Sequence, residues 1–367
     1  MSETTNDQYH AHVDWDFVLE TIRNEKCVLL IGKELPQLQS GESLEDALID
    51  HLDVENNENV VNYYQNDEFF LFKNPIAKTR TYYKIKDCFR QPYYEDIYHK
   101  IAQIPFHLVL SVSPDLYLKK TFEKYKLPHH FDFYHKKRNP KEVPGPSKSQ
   151  PLLYNLFGSV EEEESLILTH DDLFDFLLAL FGNRDLPTDL RNTLESADNF
   201  IFLGFKFDKW YVQLLLRLLK LHNESYSFSR YASNKVLSAD TIKICYDQFK
   251  IEFINNNIVE FVDTLYQKCQ DKHLLKELGD ADLSVSAKIE NCIEQDEIDQ
   301  ALALLKEFFE QKEEEELGDD SRLLSSRQSR LQRKVNQGVI DENDAGIEAN
   351  KIKQAVLDLC KEVKLLE

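Results

Sequence analysis

A handful of short apolar runs limits what this chain can fold into. Cys27-Val28-Leu29-Leu30-Ile31-Gly32, Phe106-His107-Leu108-Val109-Leu110, Pro151-Leu152-Leu153-Tyr154-Asn155-Leu156-Phe157 and Phe200-Ile201-Phe202-Leu203-Gly204 are largely continuous rather than alternating. That pattern belongs to strands buried on both faces, which are the strands of parallel sheets. Leu166–Thr169, Ser225–Ser229 and Ile251–Ile254 read as further short runs, and the region from the end of the first run at Gly32 to about residue 104 reads as polar and helix-like. Amphipathic stretches at 14–25, 171–180, 208–221, 239–248 and 257–269 alternate with the runs. Alternation of this kind predicts an α/β fold, a mostly parallel Rossmann-like sheet flanked by helices.

The character changes after about residue 275. Ile298, Ala301, Leu302, Leu305, Phe308 and Phe309 keep helical spacing on one face. Glu313–Glu316 and Leu317-Gly318-Asp319-Asp320 read as a charged break, followed by a helix carrying Leu324, Leu331 and Val335. Gly338 stands where a helix would stop, Asp341 where the next would be capped, and Ile352, Val356, Leu359 and Val363 mark a last helix. The expected organisation is therefore an α/β domain over 1–274 and a small all-α domain over 275–367.

Composition narrows the function. The formal net charge is −21, and a polyanion-binding protein needs a basic face to neutralise phosphates, so a nucleic-acid partner is not expected. The basic stretch Lys136, Lys137, Arg138, Lys141 and Lys148 lies among Pro140, Pro144, Gly145 and Pro146 and reads as a solvated loop. No apolar run is long enough for a membrane span. The opening residues MSETTNDQYHAHVDWD carry no basic stretch leading into an apolar core, and the six cysteines are scattered with no CxxC pair. A cytoplasmic protein with free thiols is the expectation. His129, His130 and His135, or His10 and His12, lack the ligand set of a metal site, and none is expected. Trp210 and Tyr211 read as core residues.

In a doubly wound sheet, ligands bind beyond the carboxyl ends of the strands. The first such loop is Gly32-Lys33-Glu34-Leu35-Pro36. It has one glycine where a pyrophosphate needs several, a glutamate where phosphate would sit, and a proline without an N–H. Lys33 is its one phosphate-binding side chain.

Five segments in order, LLIGKELP, PFHLVLSVSPD, LLYNLFGS, LILTHDDLFDFL and IFLGFKFDKWYVQLLLRLL, resemble the sirtuin-like domains of bacterial defence proteins over about residues 14–270. The resemblance implies cleavage of the nicotinamide–ribose bond of NAD. It also implies a glycine-rich loop for the phosphates, an asparagine to orient ribose and water, and a histidine as general base. The chain departs at each. Gly32, Lys33 and Glu34 stand in the glycine loop, Ser113 at the asparagine position near Asp115, and Phe157 at the histidine position before Gly158 and Ser159. Phenylalanine accepts no proton, and a serine hydroxyl cannot match a carboxamide's paired donor and acceptor. A sirtuin-like pseudoenzyme is expected, with Gly32, Lys33, Glu34, Gly158 and Ser159 as what remains of a cofactor site and no cofactor required.

The segment RLLSSRQSRLQRKVNQGVIDENDAGIEANKIKQAVLDLCKEV resembles the effector-associated domains of bacterial conflict systems, over about residues 282–365. These act as adaptors whose copies bind one another. The resemblance implies a partner protein with a matching domain. Arg327, Arg330 and Arg333, with Arg322 and Lys334, gather positive charge in an acidic chain and are the candidate partner-binding residues; Glu313–Glu316 is their candidate counterpart. The resulting expectation is a non-catalytic scaffold in a defence system, with homo-oligomerisation open. An NAD hydrolase with a rebuilt site around Glu34, Ser113 and Asp115, and a nucleotide sensor using Lys33, stand as alternatives.

Overall fold

The computed structural model describes residues 13–182, 184–221, 229–233, 237–254, 256–278, 285–294, 297–312, 314–337, 339 and 341–366. Two compact units divide it, Met1–Gly279 and Asp280–Glu367. In the first unit, α1 (Trp15–Arg23) leads into β1 (Cys27–Ile31), then α2 (Leu44–Leu52) and a hairpin of β2 (Val60–Tyr64) and β3 (Phe69–Phe72). Next come α3 (Pro75–Cys88), α4 (Glu95–Gln103), β4 (Leu108–Ser111), α5 (Tyr117–Lys124), β5 (His130–Phe133) and β6 (Leu152–Asn155). The unit continues with α6 (His170–Phe181), α7 (Thr188–Glu195), β7 (Asn199–Leu203), α8 (Trp210–Leu218), β8 (Ser229–Ser233), α9 (Ala239–Phe249), β9 (Ile251–Ile254) and α10 (Ile258–Asp271).

Seven strands form one sheet in the order β5-β6-β4-β1-β7-β8-β9, and every neighbouring pair is parallel. β1 sits centrally, with Val28 opposite both Leu108 and Phe200. Alternate residues feed two separate cores. Cys27, Leu29 and Ile31 join Val109, Leu153 and Ile201 under α1, α4, α5 and α10, whereas Val28 and Leu30 join Leu108, Leu152, Phe200 and Phe202 under α6, α7, α8 and α9. A strand side chain alternates in direction at every residue, so a strand apolar at every position requires a layer on each side. The continuous apolar runs reflect this arrangement.

Several expectations are corrected. The polar stretch before residue 104 is not helical throughout, because the β2–β3 hairpin interrupts it and buries Phe69 and Phe70. Residues 130–133 form an edge strand that the apolar runs did not announce, paired with β6 from His130 opposite Leu152. Leu166–Leu168 is buried without being a strand; the Phe70 N–H bonds the Leu168 carbonyl instead (2.8 Å). Lys136 belongs to no solvated loop: it is 3% exposed and donates to the Glu164 and Leu166 carbonyls (2.6 and 2.5 Å). Trp210 is half exposed while Tyr211 is buried. His10, His12 and Ser225–Phe228 lie outside the described residues. Among the described residues, no group of three or more metal-ligating side chains converges and no helix is long and apolar enough to cross a membrane.

The second unit contains only helices among its described residues: α11 (Val285–Glu294), α12 (Ile298–Gln311), α13 (Glu315–Asn336) and α14 (Glu342–Leu366). Its core joins Ile289, Leu302, Leu305, Phe309, Leu331, Ile352 and Val356. The charged break is shorter than expected, since α13 already starts at Glu315. Leu317 packs against the core, and the Ser321 hydroxyl bonds the Gly318 carbonyl (2.7 Å). The Asp341 carbonyl accepts from the Ala345 N–H (2.9 Å), as an N-terminal cap position does. Gly338 lies outside the described residues.

Candidate functional site

The sheet order reverses around β1, so the crevice beyond its carboxyl end is where a doubly wound fold places a ligand. Here the loop after β1 lies on the loop after β7. The Gly32 N–H bonds the Leu203 carbonyl (2.7 Å) and the Glu34 N–H bonds the Gly204 carbonyl (3.1 Å). A Cβ on Gly32 would stand 2.0 Å from the Gly204 oxygen, so this glycine serves backbone packing. Two N–H groups that a phosphate would need are thus already committed.

The crevice is filled from above by the hairpin. Glu68, just before β3, has a left-handed backbone (φ +63°) and a side chain 5% exposed. Its carboxylate meets Lys206 at 2.8 Å, Lys209 at 3.1 Å and Lys33 at 3.8 Å. Lys206 also pairs with Glu45, which accepts a hydrogen bond from the Tyr63 hydroxyl (2.7 Å). The Lys33 ammonium lies over the Phe69 ring, 5.5 Å from its centre. Burial pulls the Lys33 ammonium below its ordinary value, against the attraction of Glu68 and Glu45. Burial acts the same way on Lys206, but its hydrogen bonds to Glu45 and Glu68 outweigh it and hold the group charged. Burial pushes the Glu34 carboxyl up, partly offset by Lys206. The remaining hollow, lined by Lys33, Glu45, Tyr63, Glu68, Ser113 and apolar side chains, is about 80 Å³. Small-molecule clefts run to roughly 300–1,000 Å³.

Ser113 and Asp115 follow β4. Asp115 is buried and accepts the Tyr117 N–H (2.9 Å), and its own carbonyl accepts from the Asn155 side chain (2.9 Å). Burial raises its carboxyl, against hydrogen bonds from Ser113 and the Tyr117 N–H. The space lined by Asp115, Asn155 and Tyr98 is about 20 Å³, room for about one water. Phe157 is a core residue, with ring centres 5.2 Å from Phe176 and 6.3 Å from Tyr211. Gly158 takes φ +86°, and a Cβ there would meet the Ser165 carbonyl oxygen at 2.4 Å. The Ser159 N–H donates to the Ser165 hydroxyl (2.9 Å). The structure thus brings Lys33 and Ser113 to one hollow, sets Asp115 beside Ser113 but lining a second one, and uses Gly158 and Ser159 in a tight turn.

Residues 108–254, from β4 through β9, match the family model of the SIR2-like domain. Residues 286–364 match that of Effector-associated domain 11. The chain joins a SIR2-like domain to an effector-associated domain. A comparison with curated proteins gives no match.

Within the effector-associated domain, Arg327 pairs with Glu348 across α13 and α14 (2.7 Å), and Arg322 pairs with Glu310 and Asp319 (3.0 and 2.8 Å). Glu313 and the side chains of Glu315 and Glu316 lie outside the described residues. Arg330 and Arg333 are exposed on α13. A groove of about 430 Å³ lies between α13 and α14, lined by Gln328, Gln332, Val335, Ala345, Ala349 and Lys353 among others. In the first unit, sequence reasoning missed Glu45, Glu68 and Lys206. The Phe-Lys-Phe-Asp start before α8 held the one available signal, a lysine at the carboxyl end of β7.

Proposed function

We propose that this protein is a non-catalytic scaffold of a defence system. Its SIR2-like domain forms a rigid platform without a bound dinucleotide, and its effector-associated domain recruits a protein carrying a matching domain. The observation that carries this reading is Glu68. A carboxylate of the chain itself sits among the three lysines at the ligand crevice, where a bound phosphate would otherwise be held. Phe157 supports it, since no proton acceptor stands at the position that the resemblance assigns to a general base. The effector-associated domain supports association with another protein, and the exposed Arg330 and Arg333 are the side chains assigned to that contact.

Calorimetry with NAD and chromatography of the mixture over hours test the first half. No binding heat and no released nicotinamide are expected. Nicotinamide release that disappears in Asp115→Asn or Glu34→Gln overturns the reading in favour of a rebuilt enzyme. Binding without release, lost in Lys33→Ala, overturns it in favour of a nucleotide sensor. For the second half, co-purification with proteins encoded beside this one is expected for the wild type and lost on Arg330→Glu with Arg333→Glu; unchanged capture removes these arginines from the contact.

A further inference from the structure

Helix α3 sorts its charges by direction. Ala77, Thr81, Ile85 and Cys88 bury one side of it. On the next side Lys78 pairs with Asp172 (2.7 Å) and Lys86 with Glu161, while the Thr79 and Tyr82 hydroxyls donate to Glu163 (2.7 Å) and the Val160 carbonyl (3.1 Å). The remaining side carries Ile76, Arg80, Tyr83, Lys84 and Asp87, all exposed. At 3.6 residues per turn these five fall within about 100° of the helix circumference. Ile76 and Tyr83 are 66% and 62% exposed. Arg80 and Lys84 make no ion pair among the described residues. Asp87, the one carboxylate on this side, lies 3.9 Å from Arg90.

Local folding does not call for this arrangement. Arg80 and Lys84 are like charges four residues apart, a spacing that destabilises a helix. The chain has a net charge of −21, so carboxylates are plentiful, and the cations on the packed side of the same helix each have one. Tyrosine and arginine, adjacent here at a spacing of three, are also the side chains that protein interfaces enrich. We infer that the outward face of α3 docks an acidic, amphipathic segment of another protein. Its carboxylates meet Arg80 and Lys84, and its apolar residues cover Ile76 and Tyr83. Charge complementarity selects this occupant. A basic segment would face two cations, and a purely apolar one would desolvate them without partners. Fields are screened beyond roughly 8 Å at physiological ionic strength, so the acidic remainder of the chain does not cancel the face. Because α3 precedes the SIR2-like match and lies outside the effector-associated domain, the inference stands apart from NAD and from the contact assigned to Arg330 and Arg333.

Fluorescence anisotropy on the full-length protein tests it, with a labelled synthetic amphipathic helix of leucine and glutamate as the probe. The wild type is expected to bind, less tightly as salt is raised. Arg80→Glu should weaken binding about tenfold or more, and so should Ile76→Ser combined with Tyr83→Ser. Arg80→Glu also replaces a repulsive pair by a glutamate four residues before Lys84, the favoured order, so its thermal melt should be unchanged or higher while binding falls. A wild type that does not bind the peptide overturns the proposal. So does binding that survives both sets of substitutions, or that is lost only in Arg330→Glu with Arg333→Glu. A single-stranded oligonucleotide that binds more tightly than the peptide, and is released by Arg80→Glu, overturns it in favour of nucleic acid.

Discussion

Phe157 concentrates the residue-scale argument. It stands where the sirtuin-like resemblance implies a histidine, yet its ring lies on Phe176 and Tyr211 in the core under α6 and α8. Writing the histidine back would place an imidazole where only aromatic edges meet it, and an unsatisfied buried polar group costs about 1–3 kcal/mol. Phe157→His should therefore lower the urea midpoint and release no nicotinamide from NAD. Release by this variant would mean that a single side chain separates the fold from activity. Gly32 makes the complementary case. Its tolerance for close approach, useful to a phosphate elsewhere, is used here against the Gly204 carbonyl. Gly32→Ala should cost about 1–3 kcal/mol as an overpacked site does, read as a lowered melting temperature.

At the scale of elements, neighbouring lysines have opposite fates. Lys136 runs into the interior, where it meets Asp172 (3.2 Å) and two carbonyls, and Asp172 in turn closes the capping box of α6 by accepting the Thr169 N–H (3.1 Å) and bonds Lys78 (2.7 Å). Lys137 meets Glu164 with both side chains more than half exposed. Removing one member of a buried pair leaves the other uncompensated, so Lys136→Met should cost about 3 kcal/mol. Lys137→Met should leave the denaturation midpoint within error, since exposed pairs are screened. Equal effects would show that burial does not separate them. Nothing in the run Lys136-Lys137-Arg138 distinguishes the two, because the difference comes from Asp172, an element away. The same reach explains what sequence made legible. Strands β1, β4, β6 and β7 announce themselves because burial on both faces forces a local signature. The hairpin stands out less: Val-Val-Asn-Tyr-Tyr and Phe-Phe-Leu-Phe hold one polar residue between them but are short runs in a stretch rich in Asn and Glu, and only Phe69 and Phe70 of the two strands are buried. Glu68, the residue that defines the crevice, meets Lys206 across 138 residues of chain. No spacing rule spans that distance.

At the scale of the whole molecule, acid sensitivity has a specific internal source. His107, at the entry to β4, is 3% exposed, and neither ring nitrogen has a hydrogen-bond partner among the described residues. Burial pushes its pKa down to about 4 from an ordinary value of 6.5, only partly opposed by Glu25. The unfolded chain therefore takes up this proton near pH 6.5, whereas the folded protein refuses it until about pH 4. Between those values the unfolded state binds more protons, so stability falls as the pH falls through the window. By pH 5 the loss from this one group is about 2 kcal/mol. A second influence runs the other way: with a net charge of −21, protonating carboxylates relieves self-repulsion and favours the compact state. The two separate in a comparison of wild type with His107→Leu, which keeps the overall charge but carries no imidazole. Urea denaturation at pH 7.5 and pH 5 should show the wild type losing about 2 kcal/mol more than the variant over that interval. The variant should also be at least as stable at pH 7.5, because two unpaired nitrogens have been removed from the core. Parallel losses in the two proteins would place the acid sensitivity in the lysine-paired carboxylates Glu45 and Asp172 instead, whose carboxyls are held below their ordinary value.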